Sequence, residues 1–141
     1  MTENRPHSVS VAGIVVNGED KVLVIRRRDN GHWEPPGGIL ELDETFQEGV
    51  RREVHEETGI WVKVERLTGI YKNMKRGIVA LVFRCAAEGG VTTSTNESSE
   101  VKWMDLERVK QSMAPAYAIR VEDAFGADVQ IRVHDGLDLR A

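Results

Sequence analysis

Apolar and polar positions fall into short runs along most of this chain. Ser8 to Val16 reads Ser-Val-Ser-Val-Ala-Gly-Ile-Val-Val, and Lys21 to Arg28 is a second apolar run that ends in three arginines. Both are rich in β-branched side chains, which suit a pleated surface, and Asn17-Gly18 between them is a turn signal. Two strands joined by a short turn are predicted. Asp29 to Gly38 carries Asp-Asn-Gly and then Pro-Pro-Gly-Gly, the chemistry of a loop. Thr45 to Thr58 switches to helical spacing. Thr45 and Glu48 stand three apart, so hydroxyl and carboxylate can each satisfy a free N–H of the first turn. Gly59 is the expected stop, because it tolerates positive φ. Strand-like segments follow at Trp61 to Tyr71, Gly77 to Ala86 and Val101 to Met104, with the polar stretch Glu88 to Ser99 as a surface loop. Asp105 can cap a short helix from Leu106. Pro115 can open another, with Tyr117, Val121, Ala124 and Phe125 on one side and Gly126 at its end. Val129, Ile131 and Val133 alternate, which predicts a short last strand. This order points to the α/β class, a mixed sheet packed against helices. There is no repeat or linker, so residues 1–141 read as a single domain.

The central helix has an unusual face. At 100° per residue, with Glu53 at zero, Phe46, Val50 and Val54 fall at about 20°, 60° and 100° and form the apolar stripe. Glu57 falls at about 40°, inside that stripe, with Glu53 at its edge and Glu56 at about 300°. Three carboxylates on or beside a buried face repel one another and lose hydration, so a positive partner is required. Arg52 can reach one of them. Converging carboxylates are also the hard-oxygen ligand set of Mg²⁺ or Mn²⁺. The plainer alternative is a charged helix whose glutamates extend to water. Gly37-Gly38, just ahead of the helix, allows close backbone approach and leaves main-chain groups open to a ligand, or is an ordinary tight turn.

Composition narrows the partners. The 23 acidic residues outnumber the 19 basic ones, for a net charge of −4. That disfavours a nucleic-acid polymer, which is usually met by a basic surface. A small phosphate-bearing ligand stays open, because a bound cation can mask the repulsion. Arg26, Arg27, Arg28, Lys72, Lys75 and Arg76 lie near strand ends and are candidate phosphate contacts. The single cysteine, Cys85, follows the apolar run Ile78 to Phe83 and reads as a buried, inert thiol. No run approaches the length of a membrane span, and Met1 to Pro6 has no targeting pattern, so a cytoplasmic protein with no membrane partner is expected.

From Gly38 to Ile60 the chain reads GILELDETFQEGVRREVHEETGI, which resembles the 23-residue Nudix box. Gly38, Glu44, Arg52, Glu53, Val54, Glu56, Glu57, Gly59 and Ile60 fill its specified positions. The resemblance implies an α/β/α sandwich around a central mixed sheet, with the box as loop-helix-loop. It implies a hydrolase that cleaves a nucleoside diphosphate linked to another group X, with Mg²⁺ or Mn²⁺ as cofactor. Carried over residue by residue, Glu53, Glu56 and Glu57 form the metal cluster, with the carbonyl of Gly37 or Gly38 assisting. Arg52 orients a neighbouring glutamate, Glu44 supports the loop-helix junction, and Gly38 and Gly59 are structural. Glu53 is assigned as the base. Some members use a glutamate outside the box, and Glu97, six residues before Trp103, is the preferred extra ligand or base, ahead of Glu100.

The box leaves X open. The proline, tyrosine and tryptophan-rich marks of the ADP-ribose, dinucleoside-polyphosphate and NADH subgroups are missing, as is the coenzyme A motif. A small MutT-like enzyme cleaving a nucleoside triphosphate, oxidised forms included, to monophosphate and pyrophosphate is the reading by elimination. A nucleotide-sugar pyrophosphatase and a non-catalytic nucleotide-sensing module are the alternatives. Arg26, Arg28, Trp33 and Tyr71 are the candidate substrate contacts, the aromatic rings for stacking on a base. Pro35 departs from the apolar or aromatic residue frequent at its place. Similar proteins are frequently homodimers, while the role of residues 128–141 is open.

Overall fold

A computed structural model describes residues 5–140. Met1 to Asn4, part of the N-terminal reading above, and Ala141 lie outside them. The first strand, β1 (Ser8–Val16), pairs antiparallel with β2 (Val22–Arg27) across the Asn17-Gly18 turn. The Asn17 side chain accepts the N–H groups of Glu19 and Lys21 and closes that turn. Two very short strands, β3 (Trp33–Glu34) and β4 (Gly37–Ile39), interrupt the expected loop. They exist because β2 and β1 offer them partners, which side-chain spacing cannot reveal. Then come α1 (Phe46–Thr58), the long strands β5 (Ile60–Asn73) and β6 (Ile78–Gly90), and β7 (Ser98–Met104). The chain continues through α2 (Leu106–Ser112), α3 (Pro115–Asp123), β8 (Gln130–His134) and β9 (Leu139–Arg140).

The sheet runs β3-β2-β1-β6-β5-β8-β9, with β4 on β1 and β7 on β2. The β1–β6 and β5–β8 pairs are parallel and the others antiparallel, so the sheet is mixed. Alternation along β1 sends Val11 and Val15 to one face and Ala12, Ile14 and Val16 to the other. The first pair packs with Val50 and Val54 of α1. The second set packs with Val109 and Met113, from α2 and its end, and with Ala118 and Val121 of α3. Both faces of the sheet are covered, giving the α/β/α sandwich. Cys85 is fully buried, and burial pushes its thiol up to about 12, in keeping with an inert group.

Helix α1 starts and stops as its spacing requires. Thr45 accepts from the Glu48 N–H while the Glu48 carboxylate accepts from the Thr45 N–H. Gly59 has φ 81°, and its N–H bonds the His55 carbonyl. The buried arc consists of Gly49, Val50, Val54, Glu57 and Thr58. Phe46, the first residue of the helix, does not belong to it and is 47% exposed. At Gly13, a Cβ would lie 2.9 Å from Val54, so the absent side chain is what lets α1 pack closely on β1.

Candidate active site

The acidic helix face opens onto a cleft of about 850 Å³, also lined by β1, β4 and the turns that follow β2, β5 and β8. Gly37, Gly38, Glu53, Glu56, Glu57 and Glu97 line one part of it. Each arrives there for a local reason. Glu57 lies within the buried arc of α1, only 5% exposed, and accepts the Gly37 N–H at 2.9 Å. A side chain at Gly38 would put its Cβ 2.5 Å from the Glu53 carboxylate, so the glycine makes room for that group. Glu97 is held by its backbone: its carbonyl accepts the Arg28 N–H, and its N–H bonds the Thr95 hydroxyl.

Arg52 is the hub of the helix face. It makes two 2.7 Å bonds to the Glu44 carboxylate, one of 2.7 Å to Glu53, and longer ones to Glu56 and to the Ile39 carbonyl. The planar fork suits such a two-pronged contact. This guanidinium, with the Glu41 N–H, pushes the Glu44 carboxyl down to about 2. Burial raises Glu53, outweighing the Arg52 bond, with Glu56 and Glu97 adding to the rise. Glu57 is pushed up to about 8, first by burial and then by the charges of Glu53 and Glu97, against the Gly37 N–H.

Crowded, desolvated carboxylates at one spot carry more negative charge than Arg52 neutralises, and all are hard oxygen donors. That donor chemistry fits a divalent cation such as Mg²⁺ or Mn²⁺. Among the described residues no three acidic, histidine or cysteine groups already converge at ligating distances. Glu56 and Glu97, both exposed, are the side chains free to swing inward.

The substrate contacts expected from the sequence fare differently. Tyr71 is fully buried, its hydroxyl donates to Asp123 at 2.7 Å, and no ring face remains for a base. Trp33 lies outside the cleft lining, between the cationic groups of Arg26 and Lys102. Arg26 pairs with Glu100 and bonds the Gly31 carbonyl. Arg28 donates to the Thr95 carbonyl and so braces the Glu97 loop rather than facing the cleft. Burial thus corrects the assignment of Tyr71, while Trp33, Arg26 and Arg28 lie beside the cleft and outside its lining. Arg27, between the two named arginines, lines the cleft instead and is held by Asp29 and Glu34. Arg27 is the last residue of β2 and follows a register shift in the β2–β7 pairing between Arg26 and Arg27, so its place on the cleft comes from the tertiary pairing. Glu34, Asn73, Tyr117, Arg120 and His134 also line the cleft. Nothing in their local spacing marks them, since they come from four separate elements, β3, β5, α3 and β8.

With this geometry the sequence comparisons agree. A NUDIX domain family model matches residues 6–124. The chain belongs to the Nudix family. A MutT-like protein of Streptomyces ambofaciens is 58% identical over 94% of this chain and 87% of its own length. An ADP-ribose pyrophosphatase of Methanocaldococcus jannaschii is 34% identical over 72% of this chain and 64% of its own. The crystal structure of a MutT protein from Methanosarcina mazei superposes with a TM-score of 0.74 at 28% identity, covering 86% of this chain and 94% of that one. This Nudix protein is a hydrolase acting on phosphoric anhydrides. No helix among the described residues is long and apolar enough to cross a membrane.

Proposed function

We propose that this chain hydrolyses nucleoside triphosphates, oxidised forms included, to monophosphate and pyrophosphate, using Mg²⁺ or Mn²⁺. The observation that carries the reading is the cluster of Glu53, Glu56, Glu57 and Glu97 on one cleft wall. The high identity to a MutT-like protein supports the triphosphate over a nucleotide sugar. The similarity to an ADP-ribose pyrophosphatase keeps the nucleotide sugar as the second reading.

Glu53, Glu56, Glu57 and Glu97, with the Gly37 carbonyl, would hold the cation. When bound, it supplies neutralisation of the phosphate oxygens and lowers the pKa of water. Arg52 fixes the Glu53 carboxylate through Oε1, on the wall of the cleft. Glu53 takes the proton of the attacking water, whose oxygen bonds to phosphorus. The anhydride P–O bond breaks, and its electron pair leaves on the departing phosphate. A carboxylate raised by burial is a better proton acceptor than an exposed one, which suits Glu53 to this role. Glu44 keeps Arg52, and through it Glu53, in place.

The test is turnover of a nucleotide panel in Mg²⁺, with products identified, for the natural protein and for Glu53→Gln. Nucleoside monophosphate and pyrophosphate are expected from the natural protein. The variant should lose about a hundredfold or more of kcat with its circular dichroism unchanged. Equal turnover by the variant removes Glu53 from the chemistry. Exclusive cleavage of ADP-ribose establishes the second reading instead.

A further inference from the structure

The same cleft contains a buried cation without an acceptor. Arg120, on α3, is 8% exposed and lines the cleft. Its Nε has no hydrogen-bond partner among the described residues. Its Nη2 lies 3.2 Å from Nε2 of His134. That contact does not satisfy it. The Gly136 N–H donates to His134 Nδ1 at 2.9 Å, so the proton of the neutral ring sits on Nε2 and faces another donor. Burial, followed by the Arg120 charge, lowers the His134 pKa and keeps the ring neutral.

Nearby acids are committed elsewhere. Asp123 accepts two bonds from Arg132 and one from the Tyr71 hydroxyl. Glu34 lies within electrostatic reach of Arg120 but is 3.5 Å from Arg27 instead. The guanidinium is held by ring faces rather than by oxygens: its centre lies 5.0 Å from the Tyr71 ring and 4.7 Å from the Tyr117 ring. A flat, rigid fork is thus kept in place while its Nε stays without an acceptor among the described residues. An unpaired buried polar group is costly, so this arrangement is built for an acceptor that arrives with the ligand.

The wall behind it comes from beyond the matched family domain. Strand β8 adds parallel to β5 and carries His134, and the following turn places Asp135, Gly136 and Leu137 on the cleft. The Ala116 N–H bonds the Leu137 carbonyl and ties this turn to the start of α3. The segment left without a role by its sequence therefore encloses Arg120.

We propose that Arg120, backed by His134 and the β8 turn, is a specificity-determining residue that selects nucleobases by a keto oxygen. A keto base presents C=O beside N–H. Arg120 donates to the oxygen, and Glu34 on the same cleft accepts from the neighbouring N–H. Adenine and cytosine present the reverse order, an amino donor toward Arg120 and a ring acceptor toward Glu34. Guanine, hypoxanthine and uracil all match. This assignment rests on the nucleotide reading above and goes further by naming the class of base.

Inosine and adenosine triphosphates isolate the effect, since they differ at the 6-position and its adjoining ring nitrogen. The natural protein should show kcat/KM for the inosine nucleotide at least about tenfold above the adenosine one, with uridine above cytidine in the same sense. Arg120→Met should reduce the preference to near one, with kcat/KM for the keto substrates falling by at least about tenfold more than for adenosine triphosphate. Removing a buried charge that lacks an acceptor should leave the melting temperature equal or higher, so the variant stays folded. Arg120→Lys keeps charge but loses the flat fork, and should recover only part of the preference. A preference near one in the natural protein, or one that survives Arg120→Met, overturns the assignment. If neither triphosphate is cleaved, the triphosphatase reading fails by itself. Calorimetric binding of inosine and adenosine monophosphates then decides the subsite: tenfold tighter inosine binding supports it, and equal or absent binding overturns it.

Discussion

Arg52 and Glu44 show how a charged contact can be both legible and incompletely read. The resemblance gave Arg52 a glutamate to orient and gave Glu44 the loop-helix junction, and in the structure Arg52 meets Glu44 through two bonds. Its simultaneous hold on Glu53 follows only from how the β4 loop lies against α1. The Glu44 carboxyl is pushed down from its ordinary value to about 2 by Arg52. A folded-state pKa below the unfolded one means that the contact stabilises the protein fully above the unfolded value of 4.5. That contribution is lost as pH falls toward 2. Glu44→Gln should therefore melt below the natural protein at pH 7, and the gap should shrink steadily between pH 5 and pH 3 in thermal melts. A gap independent of pH would mean that the ion pair does not hold the junction. Tyr71 teaches the opposite lesson. Its aromatic type pointed to base stacking, but residue type carries no information on burial. The bond to Asp123 and the contact with Arg120 make it a support for the cleft wall.

Helix α1 was the most legible element because its signals are local. Thr45, Glu48 and Gly59 act within a few residues of themselves, so spacing alone specifies both ends. Thr45→Ala removes the bond to the Glu48 N–H and should lower stability by about 1 kcal/mol in denaturant titrations. Thr45→Ser should retain most of it. The short strands β3 and β4 and the parallel pairing of β8 with β5 were not legible in the same way. Each depends on a partner strand distant in the chain, and a two- or three-residue segment has no periodicity of its own. Alternation did predict the last strand near Val129 to Val133, observed as β8, while its neighbour in the sheet had to come from tertiary packing. The same limit explains the arginine run. Three successive cations look alike in composition, and only the way the end of β2 pairs with β7 and turns away separates Arg27, on the cleft, from Arg26 and Arg28.

Across the molecule, a net charge of −4 goes with charges of both signs in one cleft. Glu53, Glu56, Glu57 and Glu97 line it, and so do Arg27, Lys75, Arg76 and Arg120. Such a mixture suits a small phosphate-bearing ligand, provided a cation covers the acids. Millimolar Mn²⁺ should accordingly raise the melting temperature, because a cation that binds only the folded chain stabilises it by mass action. Glu56→Gln with Glu57→Gln should abolish that rise, and chelation with EDTA should stop turnover; a rise unchanged in the double variant would place the metal elsewhere. The sequence by itself determined the box helix, its caps, the acids on its packed face and the hydrolase family. The helix, its caps and its acids rest on contacts between residues at most a few turns apart, which spacing encodes, and the family rests on the resemblance that the box carries. Tertiary structure decided which of three arginines faces the cleft, why Tyr71 cannot stack, and that the C-terminal strand walls in Arg120. Each of these depends on segments tens of residues apart meeting across the sheet, and burial created by that meeting is what turns an ordinary tyrosine or arginine into a support or a donor without a partner.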